Sequence, residues 1–512
     1  MVDSQFCGNT VSMVKVYLLS WTLKLGSQWM VMRHTNITLL SKFVNPLHLL
    51  TLPTYSVQAL QDTVYFSENF HPPTLSRFWS ALSPHNTPWV FIGGSYPGIR
   101  AALARKRNPE TWFASWASSA PVQAQVDMSV YYSTMQHVIP RNCSMDLHAA
   151  VTHADTILDS GTHEEIAEVR QAVYMTGLLV SLDSPGLRAG ILSPYKDFPT
   201  SPSEMSLWTI AQILAIPFQH TSRSFQMQGF SQSLRQFCDD MEHYNIKSAP
   251  PFPSPSLAEE SNLASWVEFL ESPLRNKQMP TSIGLATTHN SSTAFNALLS
   301  AIYRKVKDER SKESTSPLGA SPFPADRISW MWQYCSEFGY LQVRLIHNHH
   351  AILADKKDQV ANISNPLNFI SRFYNVSSTQ SLVCKSIFPY LPTLTTPNVS
   401  SINQYGGWNI SVSNVMFSNG QYDPWRVLGV HADTTINPSA LIRQSTKVIP
   451  KCNDVPQDNA VFGQCYGGQV HVSDLLASMN TPISGQPSPF ELGFILFSDA
   501  LKEWFQCFNN SN

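Results

Sequence analysis

Three polar residues along the chain have the types and the order that nucleophilic acyl transfer requires. Ser95 lies in WVFIGGSYPGIRAALAR, between an apolar run and a helical pattern, and the glycines around it permit a sharp turn. Asp423 follows the apolar run of NVMFSNGQYDPW, and His471 follows two glycines in GGQVHVSDLL. In such a set the imidazole takes the proton of the attacking hydroxyl, and the carboxylate orients the imidazole. The chain order Ser, Asp, His is the one expected where the nucleophile sits on a strand-to-helix turn.

Each of these residues also has an ordinary structural explanation. The Ser95 segment misses the G-x-S-x-G pattern by one position, because Pro97 stands where the second glycine belongs. Asp423 could cap a following helix, and His471 is one of 16 histidines. On the catalytic interpretation, Tyr96 follows the nucleophile at a helix N-terminus, so its N–H is the predicted oxyanion donor. The joint order of the three residues favours that interpretation.

The composition restricts the class of protein. A chain of 512 residues exceeds the roughly 250–300 residues at which a single core stops growing, so we expect a main domain with a large insertion or a second domain. Hydrophobic residues make up 43% and charged residues 14%, and the net charge is −2. This composition is typical of a folded chain. The sequence has no run of Lys and Arg that would form the basic surface that a nucleic-acid partner requires. No apolar stretch is long enough to span a bilayer as a helix.

Motifs for metals and phosphates are weaker than the acyl-transfer pattern. The cluster of His347, His349 and His350 lacks H-E-x-x-H and a carboxylate at ligand spacing, so a polar helix face explains it better. The chain contains no G-x-G-x-x-G and no G-K-[ST] loop. These patterns therefore favour neither a metal site nor a phosphate-binding loop.

Cysteines and glycosylation sequons indicate an oxidising compartment. The eight cysteines form no C-x-x-C pair, which argues against zinc and leaves free thiols or disulfides. Eight cysteines allow about 105 connectivities, and we expect Cys335–Cys384 and Cys452–Cys465 among them. The predicted location is secreted or lysosomal/vacuolar, although residues 1–50 show only a short apolar run at 16–23 in place of a clear signal peptide. Eight N-x-S/T sequons favour this route: Asn36, Asn142, Asn290, Asn362, Asn375, Asn398, Asn409 and Asn509.

The pattern along the chain predicts an α/β architecture with an inserted, mainly helical region. Periodicity and breakers predict a series of elements: strand 89–92, turn 93–98, helix 99–107, strand 112–122, strands again near 412–417 and 446–449, and a last helix at 489–505. From about residue 130 to about residue 395, helical stretches alternate with Pro/Ser-rich links. We therefore divide the chain into four parts: an unassigned segment 1–50, a first core part 51–130, a helical cap insertion 131–395 and a second core part 396–512.

Five segments, in this order, resemble the prolyl-specific serine peptidases. They are GGSYPG (93–98), WMWQYCSEFGYLQ (330–342), YGGWN (405–409), NGQYDPW (419–425) and HVSDL (471–475). That family includes lysosomal Pro-Xaa carboxypeptidase, dipeptidyl peptidase II, thymus-specific serine protease and fungal secreted relatives. The resemblance runs from residue 52 to the C-terminus, and the combination is more specific than any single motif.

The resemblance implies an α/β-hydrolase fold with a helical cap inserted between the two halves of the sheet. It also implies hydrolysis of peptide bonds next to proline through an acyl-enzyme, without a cofactor. Ser95 would be the nucleophile, Asp423 the orienting acid and His471 the base of a serine-type exopeptidase. The sequence leaves open whether C-terminal residues or N-terminal dipeptides are removed, or whether an internal bond is cut.

An aromatic pocket would suit the compact, apolar proline ring of such a substrate. Trp332, Phe338 and Trp425 are the candidates for this pocket, and each also fits a core position. The expected partners are proline-containing peptides. The sequence does not fix the oligomeric state, for which a homodimer is one possibility.

The segment before the nucleophile departs from the family pattern. Family members carry their first strands there, with a Gly-rich loop that supplies an oxyanion donor, and nothing in this chain matches them. We therefore expect the N-terminal part of the sheet to be incomplete. This departure favours one alternative, a catalytically inactive or truncated hydrolase-fold homologue that acts as a binding protein. A lipase or esterase is a further alternative, because the turn around Ser95 does not itself name the acyl group.

Overall fold

A parallel β-sheet organises the part of the chain that the computed structural model describes. The described residues are 56–70, 80–183, 198–219, 232–245, 247, 253, 260–271, 274, 284–285, 290–312, 330–344, 369–388, 396–457, 459–475 and 487–509. The strands are β1 (Trp89–Gly94), β2 (Trp112–Ser118), β3 (Gln125–Asp127), β4 (Gly339–Leu341), β5 (Val415–Gly420), β6 (Gln444–Thr446) and β7 (Ala460–Tyr466). The main sheet has the order β1-β2-β5-β7-β6 with every neighbouring pair parallel, while β3 and β4 form a separate parallel pair.

Helices connect these strands and make up most of the described residues between β3 and β5. The longer helices are α1 (Ser56–Glu68), α2 (Tyr96–Arg107), α3 (Val130–Val138), α4 (Arg141–Ser160), α5 (His163–Asp183), α6 (Leu207–Leu214), α7 (Gln232–Glu242), α8 (Glu260–Leu270), α9 (Ser291–Lys312) and α10 (Pro489–Asn509). Short α-helical turns lie at Ile216–Gln219, Val376–Thr379, Lys385–Ile387 and Ser400–Asn403. The 3₁₀ turns are Ser80–Leu82, Pro202–Glu204, Gly407–Asn409 and Arg426–Leu428, and the π-helical turns are Tyr334–Phe338 and Gln380–Cys384.

Two apolar cores flank the main sheet. Along β1, Trp89 and Phe91 belong to the larger buried cluster, whereas Val90 and Ile92 belong to a second one, as the period of two along a strand requires. Helix α2 contributes to the larger cluster, and α10 supplies Trp504 to the second. Helices therefore cover both faces of the sheet, which is the usual way to bury parallel strands.

The predicted strand–turn–helix at the start of the sheet is present, with a tighter turn than expected. The predicted turn 93–98 is too long, because β1 continues through Gly94 and α2 already begins at Tyr96. Pro97 is compatible with this early start, since the first helical turn needs no N–H from it. Ser95 alone therefore makes the reversal from strand to helix.

The described residues form a mixed α/β protein with a parallel sheet, consistent with an α/β-hydrolase fold. The domain boundaries at residues 51, 131 and 396 stay a prediction. The expectation of an incomplete N-terminal sheet stays a prediction, because residues 1–55 and 71–79 of the segment before Ser95 lie outside the described residues. Within the described part, no helix is long and apolar enough to cross a membrane.

Among the described residues, two disulfides lie within the helical region and one lies within the C-terminal part. The bonds formed are Cys143–Cys238, Cys335–Cys384 and Cys452–Cys507. The prediction of a Cys335–Cys384 bond is confirmed, and it joins the two π-helical turns. Removing a disulfide of this kind commonly costs about 2–5 kcal/mol of stability.

The predicted Cys452–Cys465 bond is wrong, because the two residues lie towards opposite ends of β5. The Sγ atom of Cys452 lies 3.5 Å from Nδ2 of Asn414, just before β5 begins. Cys465 lies on β7 opposite Asn419, five residues further along β5. Five strand residues span about 16 Å, whereas bridged Cα atoms lie within about 7 Å of each other. Cys452 pairs instead with Cys507 of α10, and Cys465 is a free thiol.

Candidate active site

The three residues that the sequence singled out for catalysis lie at the carboxyl ends of neighbouring strands, together with Ser118, which the sequence did not single out. Ser95 follows β1, Ser118 ends β2, Asp423 follows β5, and His471 follows β7. Because the strands are parallel and adjacent, these ends lie along one edge of the sheet. In α/β sheets this edge is where ligands bind.

The backbone at Ser95 is held in an unusual conformation. Its φ is 62° and its ψ is −126°, a region that residues other than glycine rarely adopt. A Cβ atom on Gly93 would lie 2.2 Å from the carbonyl oxygen of Pro97, and one on Gly94 would lie 2.5 Å from Cγ1 of Val472. Both positions therefore require glycine for steric reasons. This turn exposes Ser95 partly to solvent at the edge of the sheet.

Asp423 and His471 form a buried pair. Both carboxylate oxygens of Asp423 lie 2.9 Å from Nδ1 of His471, and the two side chains are almost completely buried. The carboxylate faces Nδ1, so this nitrogen carries the proton and donates it to Asp423. The tautomer leaves the lone pair on Nε2. Nε2 is buried and has no hydrogen-bond partner among the described residues, so it is free to accept a proton.

Further donors fix the carboxylate of Asp423. Nδ2 of Asn419 donates to Oδ2 at 3.1 Å, and the N–H of Trp425 donates to Oδ1 at 2.9 Å. The Asn419 side chain also contacts Nδ1 of His431 through its Oδ1 at 3.2 Å. Burial, together with the positive charges of nearby arginines, lowers the pKa of His431 to about 3, so this histidine is neutral. Asn419 was not singled out from the sequence, although its place four residues before Asp423 is the signal that could have found it.

Val472 connects the histidine to the turn at Ser95. Its side chain packs directly on Gly94, the residue before the nucleophile candidate. The structure therefore brings the residue after His471 against the residue before Ser95. The hydrogen bond between a catalytic base and its nucleophile is often long or poorly aligned in the absence of substrate. The unpartnered Nε2 of His471 is therefore compatible with a role as the base.

Tyr96 occupies the first position of helix α2. The helical ladder provides no acceptor for the N–H at this position, which leaves it available to an oxyanion. The Tyr96 hydroxyl donates to Oε1 of Gln333. Its ring packs against Trp330 at 5.2 Å and Phe338 at 5.8 Å between centroids. Burial raises the pKa of the Tyr96 phenol, so it is a hydrogen-bond donor at neutral pH.

Two of the three predicted pocket aromatics belong to a series of ring contacts that reaches His471. Phe338 packs on Tyr340 at 5.2 Å, Tyr340 on Trp425 at 5.3 Å, and Trp425 on the His471 ring at 6.5 Å. Trp332 instead packs on Phe388, beside the Cys335–Cys384 disulfide.

Sequence reasoning missed two further aromatic residues near this edge. Trp330 packs on Tyr96, and Tyr340 connects Phe338 with Trp425. Both lie within residues 330–342, a segment that the sequence singled out as a whole. This segment passes from a π-helical turn at Tyr334–Phe338 to β4 at Gly339–Leu341, so no single period relates its side chains. The sequence therefore cannot tell which of its aromatic rings face the edge.

Sequons differ in exposure. Asn290, Asn398 and Asn409 are exposed, while Asn142 and Asn375 are half-buried. Nδ2 of Asn142, the atom that would carry a glycan, donates to Oε1 of Glu242. The remaining sequon side chains lie outside the described residues: Asn36, Asn362 and Asn509.

The described residues contain no group of three or more His, Cys, Asp or Glu placed to hold a metal ion. The histidine cluster at His347, His349 and His350 lies outside them.

The parallel sheet and the polar residues at its carboxyl edge are consistent with an α/β protein of the hydrolase class. The family model for serine carboxypeptidase S28 matches residues 45–175 and 274–459, more than half of the chain. The chain belongs to this family, which confirms the predicted resemblance. The matched segments contain Ser95 and Asp423, and His471 lies beyond the second of them.

Known proteins similar to this chain are serine peptidases by name. A probable extracellular serine carboxypeptidase of Arthroderma benhamiae is 24% identical over 382 residues, covering 73% of this chain and 45% of the relative. The serine protease vicPb of Bipolaris victoriae is 24% identical over 390 residues, covering 73% and 60%. The human thymus-specific serine protease is 24% identical over 393 residues, covering 75% and 62%. The chain thus spans about half to three fifths of the length of these relatives.

Proposed function

We propose that the chain is a serine peptidase in which Ser95 is the nucleophile, His471 the base and Asp423 the acid that orients it. The observation that carries the proposal is the buried contact of both Asp423 oxygens with Nδ1 of His471, at the sheet edge that also carries the strained turn at Ser95. Strained backbone persists where the surrounding structure imposes it, often at functional sites. Membership of the serine carboxypeptidase S28 family supports the same reaction class.

The proposed reaction proceeds through an acyl-enzyme. Nε2 of His471 takes the proton of the Ser95 hydroxyl while Oγ attacks the carbonyl carbon of the scissile bond. The negative charge that forms on the carbonyl oxygen faces the N–H of Tyr96. His471 then gives its proton to the leaving amine, and a water molecule releases the acyl group by the reverse sequence. Asp423 stabilises the imidazolium in both steps.

The finer fold that we propose is an α/β-hydrolase core with a helical cap. Strands β1 and β2 precede the helical region 131–395, and β5 and β7 follow it, yet β2 pairs directly with β5. This topology supports a core of residues 51–130 and 396–512 with the helices inserted between them.

We further propose proline-containing peptides as substrates. Tyr96, Trp330 and Phe338 form one aromatic group beside the nucleophile, and Tyr340 and Trp425 extend it towards His471. A proline ring is compact and apolar, so aromatic faces can bind it without a polar partner. Exopeptidase action fits the name of the Arthroderma benhamiae relative, a probable extracellular serine carboxypeptidase.

The proposed location is extracellular or lysosomal. Disulfides persist in oxidising compartments, and the described residues contain three of them. Exposed sequons at Asn290, Asn398 and Asn409 would be accessible to glycosylation there.

Labelling with a fluorophosphonate probe tests the proposed nucleophile. We expect the wild-type chain to be labelled to about one probe per molecule and Ser95→Ala not to be labelled, because only an activated serine attacks the probe. Ser160→Ala, the same change at an exposed serine at the end of α4, serves as control and should label like the wild type. Equal labelling of Ser95→Ala and wild type would exclude Ser95, and a folded wild type without labelling would favour the inactive alternative.

A substrate panel then separates the remaining alternatives. Blocked peptides with a free C-terminal Pro-Xaa report carboxypeptidase action, and peptides with a free N-terminal Xaa-Pro report dipeptidyl peptidase action. Short and long acyl esters test the lipase or esterase alternative. Hydrolysis of esters alone would contradict the peptidase assignment.

Gly94→Ala should lower the activity by displacing His471 rather than by displacing Ser95. The new Cβ would lie 2.5 Å from Cγ1 of Val472, so the turn that carries His471 must shift. A displacement of about 1 Å can cost about 10²-fold in rate, and we expect a loss of that size in kcat/KM. Gly467→Ala is the control, because its Cβ would meet only Oε1 of Gln421, at 3.9 Å. An unchanged kcat/KM in Gly94→Ala would show that this contact does not position the base.

A further inference from the structure

The end of strand β2 contacts both halves of the proposed catalytic machinery. We call Ser118 and Ser119 the β2 corner. The carbonyl oxygen of Ser118 accepts a hydrogen bond from the N–H of Ser95 at 2.9 Å. The hydroxyl oxygen of Ser119 accepts one from the N–H of Val472, also at 2.9 Å. One dipeptide therefore holds the backbone of the nucleophile and the backbone next to the base.

A second contact fastens the same turn. The hydroxyl of Ser118 donates to Oδ1 of Asp474, three residues after His471. Both serines and Asp474 are almost completely buried. Burial raises the pKa of the Asp474 carboxyl, and the hydrogen bonds from Ser118 and Ser418 act in the opposite direction.

Backbone strain indicates that these contacts impose a conformation that the turn would not adopt alone. Val472 has a φ of 57° and Ser119 a φ of 46°, both in the left-handed region. A β-branched residue such as valine is a marked outlier there. The strained conformation directs the Val472 side chain onto Gly94, beside the nucleophile. Strain that is stored at such a place is commonly tied to function.

The β2 corner is itself fixed to the strand that precedes Asp423. The N–H of Ser119 donates to the carbonyl oxygen of Ser418 at 2.7 Å, and Ser118 is opposite Ser418 in the β2–β5 register. Nε1 of Trp116 donates to Oγ of Ser418 at 2.8 Å. The β2 corner thus connects the segments that carry Ser95, His471 and Asp423 at the centre of the sheet edge.

We propose that Ser119 is a positioning residue for catalysis: its hydroxyl, assisted by Ser118 and Asp474, holds the turn after His471 so that Nε2 meets Oγ of Ser95. This inference rests on the proposed function. Ser119 touches no reacting atom in this scheme and acts only through the backbone of Val472.

Two variants distinguish the effect of the Ser119 hydroxyl from the effect of the backbone conformation at this residue. Ser119→Ala removes the hydroxyl and keeps a Cβ, whereas Ser119→Gly removes the hydroxyl and also fits a positive φ without strain. We expect both variants to lose about 10- to 100-fold in kcat, since small displacements of reacting groups have effects of this order. KM should stay within about twofold of the wild type, because the proposed aromatic pocket is untouched.

The number and the reactivity of active sites are measured separately with the fluorophosphonate probe. We expect the final extent of labelling in both variants to equal that of the wild type, while the labelling rate constant falls in parallel with kcat. Ser300→Ala is the matched control, because Ser300 is equally buried and its hydroxyl donates to the carbonyl of Leu270 in the helical region. A merely structural role would lower the labelled fraction and leave the rate constant unchanged, and that result would overturn the proposal.

A crystal structure of Ser119→Gly gives a readout that needs no activity. The turn 471–474 should be displaced from β2 relative to the wild type, while the same turn in Ser300→Ala should superpose. An unmoved turn would overturn the positioning role even if the wild type proves active. Absence of probe labelling in the wild type would instead count against the proposed function, so the two failures are distinguishable.

Discussion

Ser95→Ala should lower kcat for peptide hydrolysis by about 10⁶-fold, the size of effect that removal of a catalytic serine has in a Ser-His-Asp peptidase. The variant lacks the atom that forms the acyl-enzyme, so only direct attack by water remains. The oxyanion donor and substrate binding still accelerate that attack by about 10³–10⁴-fold over the reaction in water. KM should change little, because the substrate still contacts the same aromatic residues. The free energy of unfolding should stay within about 1 kcal/mol of the wild-type value, as expected for a partly exposed side chain. The Ser95 hydroxyl makes no capping bond to helix α2 that the change could remove.

Steady-state kinetics on the best peptide of the panel, together with thermal unfolding, measure both expectations. Ser160→Ala is again the control for a serine-to-alanine change at an exposed position. A kcat within tenfold of the wild type would contradict the assignment of Ser95. A large loss of kcat that is accompanied by unfolding would not support it either, and Ser95→Cys would then be used to keep a nucleophile of similar size.

Asp423→Asn is expected to lower kcat by about 10⁴-fold, as in other peptidases of this type. An asparagine side chain would present its NH₂ to Nδ1 of His471, so the imidazole would have to carry its proton on Nε2. That nitrogen could no longer accept the proton of Ser95. The bonds from Asn419 and Trp425 would also be altered, because both now donate to carboxylate oxygens.

Asp433→Asn provides the same chemical change ten residues away. Asp433 accepts hydrogen bonds from Arg426 and Thr435 and does not contact His471. We expect its kcat to remain within about twofold of the wild type, as for most changes away from the reacting groups. If Asp423→Asn lost less than tenfold in kcat, another group would have to orient the histidine.

Local patterns predicted the elements around the candidate site well. The apolar run before Gly93 forms a strand, and the alanine-rich run after Pro97 forms a helix, because each local pattern matches the period of its element. Boundaries were less accurate at the turn itself, where the strain at Ser95 shortens the reversal to one residue. That strain depends on neighbours such as Val472, which a local pattern does not contain.

Long-range pairing explains most of what the sequence could not predict. Cys452 pairs with Cys507 rather than Cys465 because α10 packs across the sheet, and the choice depends on which end of β5 each cysteine reaches. Trp332 packs on Phe388 beside the Cys335–Cys384 disulfide, a contact between segments that are distant in the sequence.

The sequence by itself determined the α/β class, because apolar periodicity is a local property of the chain. Its five motifs resembled the family to which the chain belongs, and they contain the three residues for which we propose catalysis. Only the tertiary structure brought β2 beside β5, and with it the β2 corner against the turn after His471. Ser118 and Ser119 are separated from Val472 by more than 350 residues, so no local pattern relates them. Their contact follows from the order of strands in the sheet, which is set by the packing of helices on both faces.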